Sequence, residues 1–66
     1  MYAVIDHPAG YETFRFVRDG SRWLVMATTR VMGRVNQTNA VWDADKARAF
    51  QAAMLAQGYR GRDLGR

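Results

Sequence analysis

Apolar and polar residues alternate along the first half of the chain, and this period of two predicts β-strands. Residues 2–6 (YAVID) form the first predicted strand, and residues 7–10 (HPAG) form the turn that closes it. Residues 11–17 form the second strand. The Asp19-Gly20 pair that follows is typical of a two-residue hairpin loop, because a type I′ turn needs positive φ at both central positions.

A loop at these two residues also predicts the register of the hairpin. Phe16 then faces Trp23, and Phe14 faces Val25. Side chains alternate along a strand, so these two pairs share one side of the sheet with the pair Glu12 and Ala27. The opposite side carries Val17 with Arg22, Arg15 with Leu24, and Thr13 with Met26. We therefore expect one aromatic side and one side that mixes arginine with apolar residues.

The alternation continues in residues 30–36 (RVMGRVN), which predict a third or fourth strand. If Val31 and Val35 face the core, the other side of this strand carries Arg30, Met32 and Arg34. Gly33 indicates a bulge or a close approach of another backbone.

The second half of the chain predicts a helix over residues 44–57. Asp43 is a suitable N-cap, and Asp45 lies in the first turn, where the helix dipole favours a carboxylate. The apolar stripe of this helix consists of Ala47, Phe50, Ala53 and Met54. Gly58 is typical of a C′ glycine, and Tyr59 is placed to pack back on the last turn.

These elements predict an α+β fold with a small twisted antiparallel sheet of three to four strands and one C-terminal helix packed on the aromatic face. Residues 1–59 form a single domain, and residues 60–66 form a flexible basic tail. The strand order of residues 2–6 stays open. No second helix is available to cover the other side of the sheet, which explains why strands tolerate Arg15 and Arg22.

Charge and composition narrow the function class. The chain has 66 residues, a net charge of +4 and no cysteine, with nine arginines and one lysine. Lack of cysteine excludes disulfides and thiolate metal sites and fits a cytoplasmic location. No apolar run is long enough to span a bilayer, so we expect no membrane partner. The N-terminus does not predict a signal peptide. The arginine bias indicates either phosphate or carboxylate recognition or a GC-rich coding sequence.

No residue pattern predicts catalysis. His7 follows Asp6 directly, and neighbours on an extended chain point to opposite sides, so His7 is expected as an exposed turn residue. Ser21 has no base nearby in the sequence. Glu12 falls at the margin of the aromatic side. No phosphate-binding loop or metal-ligand spacing is present, so we expect neither an enzyme nor a cofactor.

The candidate site is the arginine-bearing side of the sheet, extended by the tail. Arginines among apolar and aromatic groups suit phosphate contact with stacking, a protein interface, or a solvated face whose arginine stems cover apolar residues. The candidate contact residues are Tyr11, Arg15, Arg22, Arg30, Arg34, Arg60 and Arg62.

Residues 11–59 resemble the tryptophan–glycine–arginine (WGR) domain of poly(ADP-ribose) polymerases and bacterial proteins. The matching segments are Trp23-Leu24-Val25, Gly33-Arg34-Val35 and the helix ending ARAF…AQGY, while Met32 stands at the name-giving tryptophan. This resemblance implies a module associated with nucleic acid, with Arg34 as a contact residue. The order of sheet and helix is similar to integrase arm-binding domains. In its small size and its lack of cysteine, the chain also resembles phage-encoded inhibitors of the anti-CRISPR type.

The expected function is therefore a small non-enzymatic binding protein, an inhibitor or accessory protein of the phage anti-CRISPR kind. Its expected partner is a nucleic-acid-handling protein or nucleoprotein complex. Direct binding of DNA or RNA by the arginine-bearing side is the alternative. A third hypothesis is an oligomerisation module that pairs through sheet edges or Leu55. The sequence leaves the oligomeric state open and favours a monomer.

Overall fold

The computed structural model describes residues 1–63, which form an antiparallel sheet of five strands with one helix packed on it. The elements are β1 (Val4–Asp6), β2 (Glu12–Asp19), β3 (Arg22–Val31), β4 (Arg34–Asp43), α1 (Ala44–Ala56) and β5 (Arg60–Arg62). The predicted α+β class is confirmed. The sheet has five strands rather than three to four, and a strand follows the helix, so α1 is not the last element.

The strand order is β4-β3-β2-β1-β5, which places β1 inside the sheet. In β5, Gly61 lies opposite Ile5, and the Arg62 Nε donates a hydrogen bond of 2.7 Å to Asp6 Oδ2. The prediction of a flexible tail is wrong for Arg60–Arg62, because β1 has a free edge that these residues complete. Residues 64–66 of that predicted tail lie outside the described part of the chain.

The first hairpin turns one residue later than predicted. Asp19 pairs with Arg22, so the loop is Gly20-Ser21, with positive φ at Gly20 and not at Ser21. That pattern is typical of a type II′ turn, which needs glycine at the first central position only. Each β2 residue therefore pairs two positions further along β3 than expected, and Phe16 faces Val25. Since the shift is two residues, every side chain stays on its predicted side of the sheet.

A second hairpin replaces the continuous strand predicted over residues 30–36. Val31 pairs with Arg34, and the loop is Met32-Gly33, both with positive φ (53° and 76°) as in a type I′ turn. The prediction that Val31 and Val35 share a side is wrong, because the loop reverses the chain between them. Gly33 is therefore a turn residue and not a bulge.

The helix covers the aromatic side of the sheet, as predicted. The buried core consists of Ile5, Phe16, Val25 and Ala47. Phe50 of α1 contacts three rings on the sheet, with its centroid 4.9 Å from Phe14, 5.1 Å from Trp42 and 6.3 Å from Phe16. The side of the sheet opposite α1, called the outer face below, has no helix on it in the described part of the chain.

Both helix ends follow the predicted capping chemistry. Asp43 Oδ1 accepts a hydrogen bond of 2.8 Å from the Lys46 N–H. At the other end, Gly58 adopts a φ of 96°, and the N–H groups of Gly58 and Tyr59 donate to the carbonyls of Leu55 and Met54, which is a Schellman motif. The stripe itself differs from the prediction: Ala53 is exposed, and Gln51 is buried.

Candidate docking face

The register places three of the predicted contact residues together on the outer face. Arg15 pairs with Met26, Arg22 with Asp19, and Arg30 with Val35 across neighbouring strands. All three arginines are exposed. This part of the predicted site is therefore assembled as expected, on the side opposite the helix.

Two further arginines reach the same face through β5. Arg62 pairs with Val4 and Arg60 pairs with Asp6, while Arg15 lies on the other side of Val4. Val4 is only 1% exposed although it belongs to the outer face. The aliphatic stems of the two flanking arginines are placed to cover it, as long basic side chains commonly do. We call the group Arg15, Arg30, Arg60 and Arg62 the basic half of the outer face.

A shallow groove lies in the basic half between Arg15 and Arg30. Its volume is about 250 Å³, and its walls are Thr13, Arg15, Met26, Thr28, Arg30 and Gln37. Arg30 Nη1 donates to Thr13 Oγ1 at 3.3 Å, which orients this guanidinium along the groove. Two guanidiniums, two hydroxyls and one carboxamide are a donor set that suits carboxylate or phosphate oxygens.

Apolar side chains occupy the neighbouring part of the outer face. Leu24 pairs with Val17 on one side and with Val41 on the other, so the three form a row across β2, β3 and β4. Val17 is 44% exposed and Val41 is 54% exposed. We call these three residues the apolar row. It lies one step along the strands from Arg15 and Met26.

Beyond the apolar row, Arg22 lies between two carboxylates. Asp19 pairs with it from β2 and Asp43 pairs with it from β4. Two carboxylates beside one guanidinium leave this end of the outer face with a net negative charge. Arg22 is thus on the outer face as predicted, but it does not extend the basic half.

Arg34 is not part of the outer face. It pairs with Val31, and the loop between them puts Arg34 on the same side of the sheet as Trp42 and the helix. The prediction that Arg34 joins Arg30 is therefore wrong. Residues 30 and 34 would share a side only on an uninterrupted strand, and the Met32-Gly33 loop interrupts it.

Tyr11 packs at the end of the sheet, in a cleft that the sequence did not predict. Its ring centroid lies 5.0 Å from that of His7, which in turn lies 5.0 Å from Tyr59. The cleft has a volume of about 530 Å³ and is lined by His7, Tyr11, Glu12, Thr29, Arg30, Val31, Met32 and Tyr59. Arg30 lines both this cleft and the groove of the basic half.

Hydrogen bonds fix the polar groups of the cleft. The Ala9 N–H donates to His7 Nδ1 at 2.9 Å, so a neutral imidazole carries its proton on Nε2. The Tyr59 hydroxyl donates to Glu12 Oε1 at 2.5 Å. This hydrogen bond, followed by burial and by the charge of Glu12, raises the pKa of Tyr59. The Tyr59 hydroxyl therefore stays protonated to a higher pH than that of an ordinary tyrosine.

Sequence reasoning missed both the cleft and the apolar row. His7 was expected in solvent, but Tyr59 approaches it after the helix reversal at Gly58, which no local pattern reports. The side of Val41 follows only once the turn at Met32-Gly33 is known, because that turn fixes the side of every β4 residue. Within the described residues, no group of three metal-ligating side chains is present and no helix could cross a bilayer.

The chain matches no protein-family model, no curated protein and no solved structure.

Proposed function

We propose that this protein is a small non-enzymatic binding protein that docks its outer face on a protein partner with an acidic surface. It acts as an inhibitor or accessory protein of a nucleic-acid-handling complex. The observation that carries the proposal is the apolar row next to the basic half, on a side of the sheet that the helix leaves uncovered.

The apolar row supports a protein partner. Protein interfaces typically have a desolvated apolar centre with polar and charged groups around it. Here Val17, Leu24 and Val41 are contiguous and partly in solvent, with Arg15 and Met26 on one side and Arg22 on the other. A surface that only contacted phosphates would gain nothing from this exposed apolar area.

The basic half supports an acidic partner surface. It contains four guanidinium groups and one carboxylate, that of Asp6, which forms an ion pair with the Arg62 side chain. Complementary charge increases the rate of encounter and selects the partner more than it adds affinity. Arginine also binds carboxylates through two parallel hydrogen bonds, and the groove between Arg15 and Arg30 has room for such a group.

Direct binding of DNA or RNA is the second candidate, and the same groove favours it. Its guanidinium and hydroxyl donors suit a phosphodiester as well as a carboxylate. Stacking of bases is not available there, because the strand residues of the outer face in the described part of the chain include no aromatic ring. Single-stranded nucleic acid commonly binds through such rings. We therefore place this function second.

The resemblance to WGR domains and to anti-CRISPR proteins supports a partner that handles nucleic acid. The segment Met32-Gly33-Arg34, which stands at the signature of the WGR family, forms the tip of the β3–β4 hairpin. Met32 is 96% exposed there. An apolar side chain in this position adds a contact at the basic end of the outer face.

Capture experiments with matched variants test the proposal. Tagged protein is mixed with nuclease-treated lysate, and captured proteins are identified for the natural chain, for Arg15→Glu with Arg30→Glu, for Val17→Ser, and for Arg48→Glu. Arg48 lies on the exposed side of the helix and controls for a charge reversal away from the outer face. We expect one partner that the natural chain and the Arg48 variant retain and that the other two lose. Equal capture by the natural chain and all three variants contradicts the proposal.

A salt titration with a generic DNA duplex tests the second candidate. Under direct binding, affinity falls steeply as salt rises, with a slope set by the number of phosphates neutralised. Val17→Ser should then leave affinity unchanged, while the double arginine variant should abolish it. Salt-dependent duplex binding without any captured protein would replace the first proposal with the second.

A further inference from the structure

The two edges of the sheet differ in how they are protected. β5 has three residues, two of them arginines, and such short charged edges resist strand addition. β4 has ten residues and pairs with β3 at every position, without a bulge. Its charged residues, Arg34 and Asp43, lie at its two ends, and residues 35–42 contain neither charge nor proline. A long regular edge of this kind invites another strand.

The free hydrogen-bonding groups of β4 can be assigned from the ladder. The Arg30 N–H donates to the Tyr11 carbonyl, so Arg30 directs its backbone groups away from β4. Backbone groups alternate in direction along an antiparallel strand, and Val31 therefore bonds to Arg34. The same alternation turns the N–H and C=O groups of four β4 residues to the open edge. They are Val35, Gln37, Asn39 and Val41.

We propose that β4 pairs antiparallel with β4 of a second copy of this chain, about a two-fold axis that is normal to the sheet and passes midway between the Thr38 residues of the two copies. This axis makes residues whose numbers add to 76 face each other. The four residues with free backbone groups then pair among themselves, Val35 with Val41 and Gln37 with Asn39 of the other copy. Every free N–H and C=O between residues 35 and 41 gains a partner.

The side chains of β4 are complementary in this register. On the outer face, Val35 meets Val41 of the second copy, so apolar residues pair at both ends of the contact. On the helix side, Arg34 meets Trp42 of the second copy, whose indole already has the Lys46 Nζ of its own chain 4.9 Å from its centroid, so this pair is close to neutral. A shift to an axis through Asn39 would place Val35 opposite Asp43, which loses the apolar pair.

The helix crosses the sheet and does not lie along this edge. α1 begins directly after β4 and packs against β3 and β1 as well, so it runs from the β4 side toward the other edge of the sheet. A two-fold axis normal to the sheet also keeps both outer faces on the same side. Two copies therefore form a ten-stranded sheet with a doubled outer face, and this pairing does not depend on what that face binds.

Sedimentation velocity on charge variants tests the pairing. We expect the natural chain to have twice the monomer mass of 7.5 kDa at tens of micromolar. Thr38→Lys and Thr38→Glu should each be monomeric, because each puts like charges opposite each other across the axis. An equimolar mixture of the two should return to twice the mass. A natural chain that stays monomeric, or single variants that stay dimeric while folded by circular dichroism, would overturn the inference.

Substitutions at the next residue test the register. Asn39 faces Gln37 of the second copy, so Asn39→Lys alone should remain dimeric. Monomers with Asn39→Lys that recover on mixing with Asn39→Glu would move the axis to Asn39 and overturn the stated pairing. Backbone amide exchange gives an independent readout: the N–H groups of Gln37 and Asn39 should be protected in the dimer. Exchange of these two amides at the rate of exposed loops would contradict the inference.

Discussion

The side chain of Gln51 forms two hydrogen bonds with the backbone of Tyr2, 49 residues earlier in the chain. The Tyr2 N–H donates to Gln51 Oε1 at 2.9 Å, and Gln51 Nε2 donates to the Tyr2 carbonyl at 2.9 Å. Gln51 is only 4% exposed. The carboxamide thus satisfies both backbone groups of Tyr2 and holds the N-terminus against α1. It also positions β1, which connects the hairpin strands to β5.

We expect Gln51→Ala to lower the free energy of unfolding by about 1 to 2 kcal/mol, since it leaves two partly buried backbone groups of Tyr2 without their partners. Chemical denaturation measures this loss. Gln57→Ala is the matched control, because the Gln57 side chain is exposed at the end of α1 and its loss should change stability by less than about 0.5 kcal/mol. Equal effects of the two substitutions would show that the Tyr2 contact contributes nothing.

The Tyr2 ring occupies the space in which a side chain of residue 61 would lie, and glycine leaves that space open. A Cβ on Gly61 would lie 2.4 to 2.6 Å from three ring atoms of Tyr2. We expect Gly61→Ala to destabilise the fold by about 1 to 3 kcal/mol through overpacking. In a Tyr2→Ala background the same change should cost much less, and a double-mutant cycle measures this coupling. Additive effects would mean that the ring and Gly61 do not touch.

The β3–β4 loop carries a residue that is poorly suited to its backbone. Met32 adopts a φ of 53°, where a non-glycine residue is uncommon, and asparagine is preferred at this position of a type I′ turn. We expect Met32→Asn to raise stability by about 0.5 to 1 kcal/mol, or several degrees in Tm. Gly33→Ala should lower it, because φ is 76° there. A Met32 variant that is less stable than the natural chain would contradict this account of the loop.

The Tyr59–Glu12 contact predicts a loss of stability at alkaline pH. The hydrogen bond to Glu12 raises the pKa of Tyr59 in the folded chain, whereas the unfolded chain ionises near the ordinary value of about 10. Between these two values the folded state binds more protons than the unfolded state. The contribution of Tyr59 is thus complete below pH 10 and is lost as the pH rises through the folded pKa.

Urea denaturation between pH 8 and pH 11 (a range of about one to two units around the ordinary tyrosine value) measures this loss. The Tyr59→Phe variant should show a shallower decline than the natural chain. Tyr11→Phe, at a more exposed tyrosine of the same cleft, is the control and should retain the full decline. Parallel curves for all three proteins would contradict the assigned role of Tyr59.

Alternation in the sequence predicted the sides of β2 and β3 although it misplaced their turn. Asp19-Gly20 and Gly20-Ser21 are both acceptable loops, and local turn preference does not choose between them. The observed register lets Asp19 face Arg22 and puts the small Ala27 opposite Phe14, beside the Phe50 ring. Such a choice depends on packing against the helix, so a hairpin viewed alone does not reveal it.

The sequence did not predict which side of the sheet Arg34 lies on, nor that Arg60–Arg62 form a strand, for two different reasons. Methionine is an unusual first residue for a type I′ loop, so Met32-Gly33 did not indicate a turn. β5 has three residues, and its strand conformation depends on the free edge of β1. The first error concerns a local rule that this chain breaks, and the second concerns a long-range contact.

The affinity of the captured partner for purified variants tests the central claim most directly. Isothermal titration compares the natural chain with Arg15→Glu, Arg30→Glu and Arg48→Glu, which change the charge equally. The account predicts that each of the first two lowers the affinity at least tenfold, about 1.4 kcal/mol, while Arg48→Glu leaves it within a factor of two. Equal affinities for all three variants would show that the outer face does not bind the partner.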